Sequence, residues 1–169
     1  RYRSWTDKKG DNILFRNDLK STFKNQKIST SISVALFNLT LKARTPIFDE
    51  NKNFLGALEV ITHFDSIAED LKRNSVDSLV VTDKKYKDVL KYPINNTFIN
   101  DYYIANANVN LELIDYVKSN NVEKYINISD YIIEGNYLIS KYNLYNKDDE
   151  NLAYILNFVK IKDIDLQIV

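Results

Sequence analysis

No cysteine occurs in the 169 residues, which excludes disulfides and thiolate metal sites and leaves either redox compartment open. His63 is the sole histidine, so a His-rich metal centre is excluded as well. It reads as a half-buried structural residue, because a pH-sensing role would need a pocket or partner to tune it. The three glycines, Gly10, Gly56 and Gly135, are too scattered to build a phosphate-cradling loop, and no Gly-x-Ser-x-Gly elbow is present. Of the adjacent carboxylates, Asp148 and Asp149 fall in a predicted turn and Glu69 and Asp70 on a predicted helix surface, so both pairs read as solvated charge. No catalytic constellation, metal-ligand set or cofactor motif emerges, and the expectation is a protein that is not an enzyme.

An excess of charge of one sign is missing too. Lys and Arg number 23, as do Asp and Glu, so the formal net charge is zero, and no basic field exists to gather nucleic acid. No run approaches the roughly 20 apolar residues that cross a bilayer, and no signal peptide opens the chain. The chain begins abruptly on RYRSWT, which reads as a strand with nothing in front of it, and it is expected to be a fragment of a longer protein. Asn, Lys, Ile and Tyr are abundant, a bias of nucleotide composition. The sequons at Asn38, Asn95 and Asn127 are accordingly expected as chance products of an Asn-rich chain.

What is present is periodicity. After the opening strand, KKGDN is a loop, and 18–24 is predicted as a short helix with Leu19 and Phe23 on one face and Asp18 as its cap. Residues 28–34 alternate as a strand, and 39–48 with 54–64 make a hairpin around DENKN. A helix is predicted over 65–73, with Asp65 as N-cap, Ile67 and Leu71 four apart, and basic residues in the last turn. Downstream come a strand at 78–82, a helix over 109–119 through Leu111, Ile114 and Val117, and an extended stretch at 130–133. Residues 136–145 and 151–161 form a second hairpin around NKDDE. Tyr102, Tyr103, Tyr131, Tyr137, Tyr142 and Tyr154 read as half-buried sheet positions, with a second pocket as the alternative.

The two hairpins repeat each other. TPIFDENKNFLGALEVIT, from Thr45, and YNLYNKDDENLAYILNFV, from Tyr142, align without a gap. The expectation is an α+β chain of two related modules, each an antiparallel sheet with flanking helices. They fall at 1–64 and 76–169 and are joined by a connecting helix in 65–75. One domain with two unrelated hairpins is the alternative.

Register then decides which side chains share a face. Pairing Asp49 with Phe54 around a four-residue loop sets Phe48 opposite Leu55, Arg44 opposite Glu59, Lys42 opposite Ile61 and Thr40 opposite His63. The other face, with Leu39, Leu41, Ala43 and Ile47 against Leu58, Val60 and Phe64, is nearly all apolar and is expected to receive a helix. The charged face has two readings. As a solvated sheet face it carries a cross-strand pair contributing roughly 0.2–1 kcal/mol. As the floor of a pocket covered by residues 3–16, it offers Arg3, Arg16, Lys42, Arg44 and Glu59, with Trp5 or Phe37 as a wall, to a small charged metabolite. Under the repeat, Lys141 takes the place of Arg44 and Leu156 that of Glu59. The second module thus lacks the paired charges, and recognition is expected in the first.

PIFDENKNFLGALEVITHF is similar to the last hairpin of a Cache module. WTDKKGDNILFRNDL is similar to the Gly-Asp-containing loop and short helix in the membrane-distal module of one double Cache subgroup. The chain therefore resembles the extracytoplasmic double Cache (PAS-like) sensor domains of bacterial chemoreceptors, histidine kinases and diguanylate cyclases. The resemblance implies a periplasmic, ligand-binding receptor domain anchored to the inner membrane outside this segment. Its distal module, 1–64, would hold a small molecule, its proximal module, 76–169, would lead to the membrane, and a homodimer is compatible with it. The chain departs from the pattern in lacking the long N-terminal helix and the distal module's first strand. It also has Thr6 where the amino-acid-binding pocket carries Tyr after Arg-x-Trp. A protein-binding or adhesion module of a cell-envelope protein is the alternative function.

Overall fold

The computed structural model describes residues 1–4 and 6–164. They form an α+β fold of antiparallel sheets and short helices. The chain makes two compact units, residues 1–31 with 42–61, and residues 32–41 with 62–169.

In the first unit the described residues among 1–6 are not in the strand expected at the start of the chain. Among the described residues of this segment Tyr2 is 83% exposed, and charge organises them. Arg1 and Arg3 both bond the Asp11 carboxylate, and Gly10 N–H donates to the Arg1 carbonyl. Helix α1 (Asn17–Asn25) follows. Its N-cap position is Arg16, not Asp18, which sits in the first turn, where an anion suits the positive end of the helix. Leu19 and Thr22 are buried beneath the helix, and the Thr22 and Ser29 hydroxyls share a hydrogen bond at 2.8 Å. The Phe23 ring meets Phe54 edge-on at 5.3 Å, and Phe54 meets Phe48 at 5.9 Å.

Strands β1 (Ser29–Val34), β2 (Leu39–Phe48) and β3 (Phe54–Thr62) make a three-stranded sheet in that order. The β2–β3 turn is tighter than the four-residue loop expected. Asp49 N–H donates to the Asn53 carbonyl at 3.0 Å, Lys52 is left-handed at φ 64, and Asp49 Oδ1 accepts from the N–H groups of Asn51 and Asn53. Phe54 faces Phe23, and Glu59 faces the charges of α1, so both point to one side of β3 although their spacing is odd. Regular alternation would separate them, so it is interrupted between them, where Gly56 holds φ +153. The interruption restores the pairing of Arg44 with Glu59 while Phe48 meets Phe54 and not Leu55.

Helix α2 (Asp65–Arg73) opens the longer continuous part of the second unit. Its N-cap is Phe64. The Asp65 carboxylate, expected to cap, accepts instead from Ala107 N–H at 2.6 Å. Strands β4 (Val76–Thr82), β7 (Tyr131–Glu134), β8 (Tyr137–Tyr145) and β9 (Asn151–Lys160) form one sheet in the order β4-β9-β8-β7, separate from the first. The intervening chain folds the β5 (Phe98–Ile99) and β6 (Tyr102–Tyr103) hairpin, and Ile104 bridges Val81 on the free side of β4. Helices α3 (Leu111–Ser119) and α4 (Val122–Ile126) follow, capped by the side chains of Asn110 and Asn121.

This sheet is buried on both faces, which accounts for the near-continuous apolar runs of β4 and β9. Leu79, Val81, Ile139, Leu156 and Phe158 pack with Leu113, Val117, Val122 and Tyr125 of the helices. Val80, Leu144, Ala153 and Ile155 pack with Leu39, Phe64, Leu90 and Tyr103.

The β8–β9 turn duplicates the β2–β3 turn atom for atom. Asn146 N–H donates to the Glu150 carbonyl, Asp149 is left-handed at φ 58, and Asn146 Oδ1 accepts from Asp148 and Glu150. The register shifts between Leu144–Ala153 and Tyr145–Asn151, and Lys141 pairs with Leu156. These are the positions that the ungapped alignment matches to the first hairpin.

Candidate functional site

The charged face of β2–β3 is the side that α1 covers. Arg44 extends from β2 and is 2% exposed. Its Nε donates to Glu59 Oε2 at 2.7 Å, and its Nη2 donates to Asp18 Oδ2 and to Ser31 Oγ. Arg16, at the start of α1, faces the same two acids. Its Nη1 and Nη2 form a bidentate fork on Glu59 at 2.9 and 2.7 Å, while Nε and Nη2 reach Asp18 at 3.2 and 2.7 Å. Two guanidinium groups and two carboxylates thus close a ring, the arrangement in which such planar pairs bond most strongly.

Burial pushes the Asp18 and Glu59 carboxyls up. The hydrogen bonds and charge of Arg16, with the charge of Arg44, outweigh it and hold both below the ordinary carboxylate range. Burial also opposes the charge on Arg16, and its bonds to Glu59 and Asp18 overcome that and raise its pKa. Lys42, on the same face of β2, is held below the usual lysine value, first by burial and then by the Arg16 charge, against the pull of Asp18 and Glu59.

Of the residues expected to meet here, Arg16, Arg44 and Glu59 are in direct contact, and Lys42 lies within their field. Arg3 is not with them. Its guanidinium bonds Asp11 at 2.8 and 2.6 Å and the Lys8 carbonyl at 2.9 Å. Trp5 lies outside the described residues, and the Phe37 ring packs on Tyr92 at 6.1 Å. His63 Nδ1 is bonded to Asn38, which also donates to the Ala105 carbonyl and is 2% exposed, so this sequon is structural. Asp18 and Ser31 were not anticipated. The signal for Asp18 was a charge imbalance: four cations were assigned to the face with a single acid, and buried cations demand partners.

The face expected to receive a helix is open over its loop-side part, while Leu39 and Phe64 at its far end are buried. Ile47, Leu58 and Val60 are 44%, 53% and 58% exposed. Among the described residues no cluster of three or more potential metal-binding side chains occurs, and no helix is long and apolar enough to cross a membrane.

Compared with known proteins, the chain matches no family model and no curated sequence. The chemistry of the ring must speak for itself. Both guanidinium forks are filled by the protein's own acids, so an incoming carboxylate gains Arg16 and Arg44 only by exchanging with Asp18 or Glu59.

Proposed function

We propose that this chain is the extracytoplasmic ligand-binding part of a bacterial transmembrane sensor, with two Cache-like modules that take a small charged metabolite and bias an output module. The observation that carries the reading is the structural repeat. Two hairpins in separate sheets close with the same turn and the same side-chain hydrogen bonds, in the positions the sequence alignment matches. The second unit adds an antiparallel sheet with flanking helices, as such a module requires.

In this reading 1–64 is the distal module, 65–75 the connector and 76–169 the proximal module. Arg16, Lys42, Arg44 and Glu59 bind the ligand. Exchange of a ligand carboxylate for Asp18 would loosen α1, and that difference in contacts between bound and free states is what a signal needs. No catalysis, cofactor or nucleic acid enters, and the membrane anchor lies outside this segment.

A thermal-shift screen against small acids, amines and amino acids tests the proposal. A ligand at 100 times its dissociation constant should stabilise the chain by about 2.7 kcal/mol. The shift should vanish in Arg44→Ala and persist in Lys141→Ala. A panel without any shift, or one in which every shift survives loss of Arg44, overturns it. The exposed stripe of Ile47, Leu58 and Val60 favours a second reading, a protein-binding module of the cell envelope. That reading predicts a partner whose binding is lost in Leu58→Lys and indifferent to small molecules.

A further inference from the structure

The second unit holds a cleft of about 200 Å³ lined by Lys72, Ser75, Asp77, Phe158, Lys160 and Asp163. Strand alternation builds its wall. Asp77 lies directly opposite Phe158 in the β4–β9 ladder, and Lys160 follows two residues on, so all three project from the same face at one end of the sheet. Lys72 comes from the last turn of α2, and Ser75 from the bend between α2 and β4. Asp163 comes from the 3₁₀ turn just after β9.

The charges around this cleft are matched in number and do not neutralise one another. Elsewhere in the unit, lysines find acids: Lys84 bonds Glu123 at 2.6 Å and Lys85 bonds Glu150 at 3.0 Å. Here no ion pair or side-chain hydrogen bond among the described residues engages Lys72, Lys160 or Asp163. Asp77 has only Asn110, at 3.5 Å. Two ammonium groups and two carboxylates share one concavity, each held by a different element. The cleft has room for a compact organic ion.

We infer that this cleft is a binding site for a small zwitterion. Its carboxylate is received by Lys72 and Lys160 and its ammonium by Asp77 and Asp163. A carboxylate accepts charge-assisted hydrogen bonds from lysine, and an ammonium donates them to aspartate, so only a ligand bearing both groups satisfies all four side chains. The inference is independent of the sensor reading and of the Arg16–Arg44 ring.

Amide NMR titration with β-alanine, propionate and propylamine tests it. β-Alanine should shift the amides of 72–77 and 158–163 along a saturable curve, with propionate and propylamine at least tenfold weaker. Lys160→Ala and Asp77→Asn should each weaken β-alanine at least tenfold, while Arg44→Ala leaves it unchanged. Since a change at Asp77 touches the sheet, the exposed Lys72→Ala provides a variant that keeps the fold and should also weaken binding. Equal affinity for propionate or propylamine, shifts confined to 42–59, or no saturation with β-alanine overturns the assignment.

Discussion

Arg44 and Glu59, fifteen residues apart on neighbouring strands, are joined by an Nε–Oε2 hydrogen bond of 2.7 Å in which the arginine is almost wholly buried. The pair is tied into a ring by Arg16 and Asp18, so no member leaves without stranding another. Arg44→Ala should therefore lower stability by about 3 kcal/mol, the range for removing one partner of a buried pair. Lys141→Ala, at the matching position of the other hairpin, removes a bond from Nζ to the Ile126 carbonyl and a cation–π contact with Tyr154 at 5.9 Å, and should cost about 1–2 kcal/mol. Urea midpoints at pH 7 measure both. Similar losses at the two positions would show that the ring is no stronger than a surface contact.

The ring also sets an acid limb. Asp18 and Glu59 are held below their ordinary values of 3.8 and 4.5. The folded chain therefore binds fewer protons than the unfolded chain just below those values. Stability from the ring is complete above about pH 4.5 and is lost as pH falls through the depressed folded values. Glu59→Gln should be less stable than the parent at pH 7, with a difference that shrinks toward pH 3. A difference independent of pH would detach the carboxylate from the effect.

Gly56 carries the interruption that puts Glu59 on the side of Arg44. At φ +153 a side chain is strained even though no atom lies within 4 Å of its Cβ position. Gly56→Ala should thus cost about 1–3 kcal/mol through backbone conformation alone, with no steric contribution. Thermal unfolding reads the loss, and an unchanged midpoint would mean that the strand accepts an ordinary residue there.

Burial separates two leucines of similar sequence context. Leu156, wholly buried in β9, should lose about 2–5 kcal/mol as alanine. Leu58→Ser, at a position 53% exposed, should stay within about 0.5 kcal/mol. Denaturation of the two variants side by side tests which face of β2–β3 is open. A large loss at Leu58 would place that face inside.

Long periodic elements were legible from sequence: α2 has the predicted bounds, and both hairpins lie where alternation puts them. The pairing of Arg44 with Glu59 was legible for the same reason. The turn was not, because an interruption at one residue shifts register near the loop while leaving the distant pair intact. The covered face was misjudged since apolarity is the usual guide to what a helix covers. Here α1 is drawn to the opposite face by Arg16 and Asp18, whose partners are charges. Strands β5 and β6 and helix α4 are too short to carry a period. The zwitterion cleft draws on residues of α2, β4, β9 and the turn beyond, whose proximity only the folded sheet reveals.

The pairing of β4, at the edge of its sheet, with β9 bears on how the protein is made. Ser78 reaches its hydrogen-bond partner Asn157, 79 positions further along the chain. On a ribosome, β4 emerges with Leu79, Val80 and Val81 bare; residues 104–106 can close its free side, while its other edge waits for β9, the last strand among the described residues. Closing so distant a contact is entropically slow, whereas α2 and the β2–β3 hairpin need only near neighbours. Among the described elements the β4–β9 seam is consequently the last to assemble. During that interval the nascent chain presents a sticky, unpaired strand to chaperones and to other copies of itself.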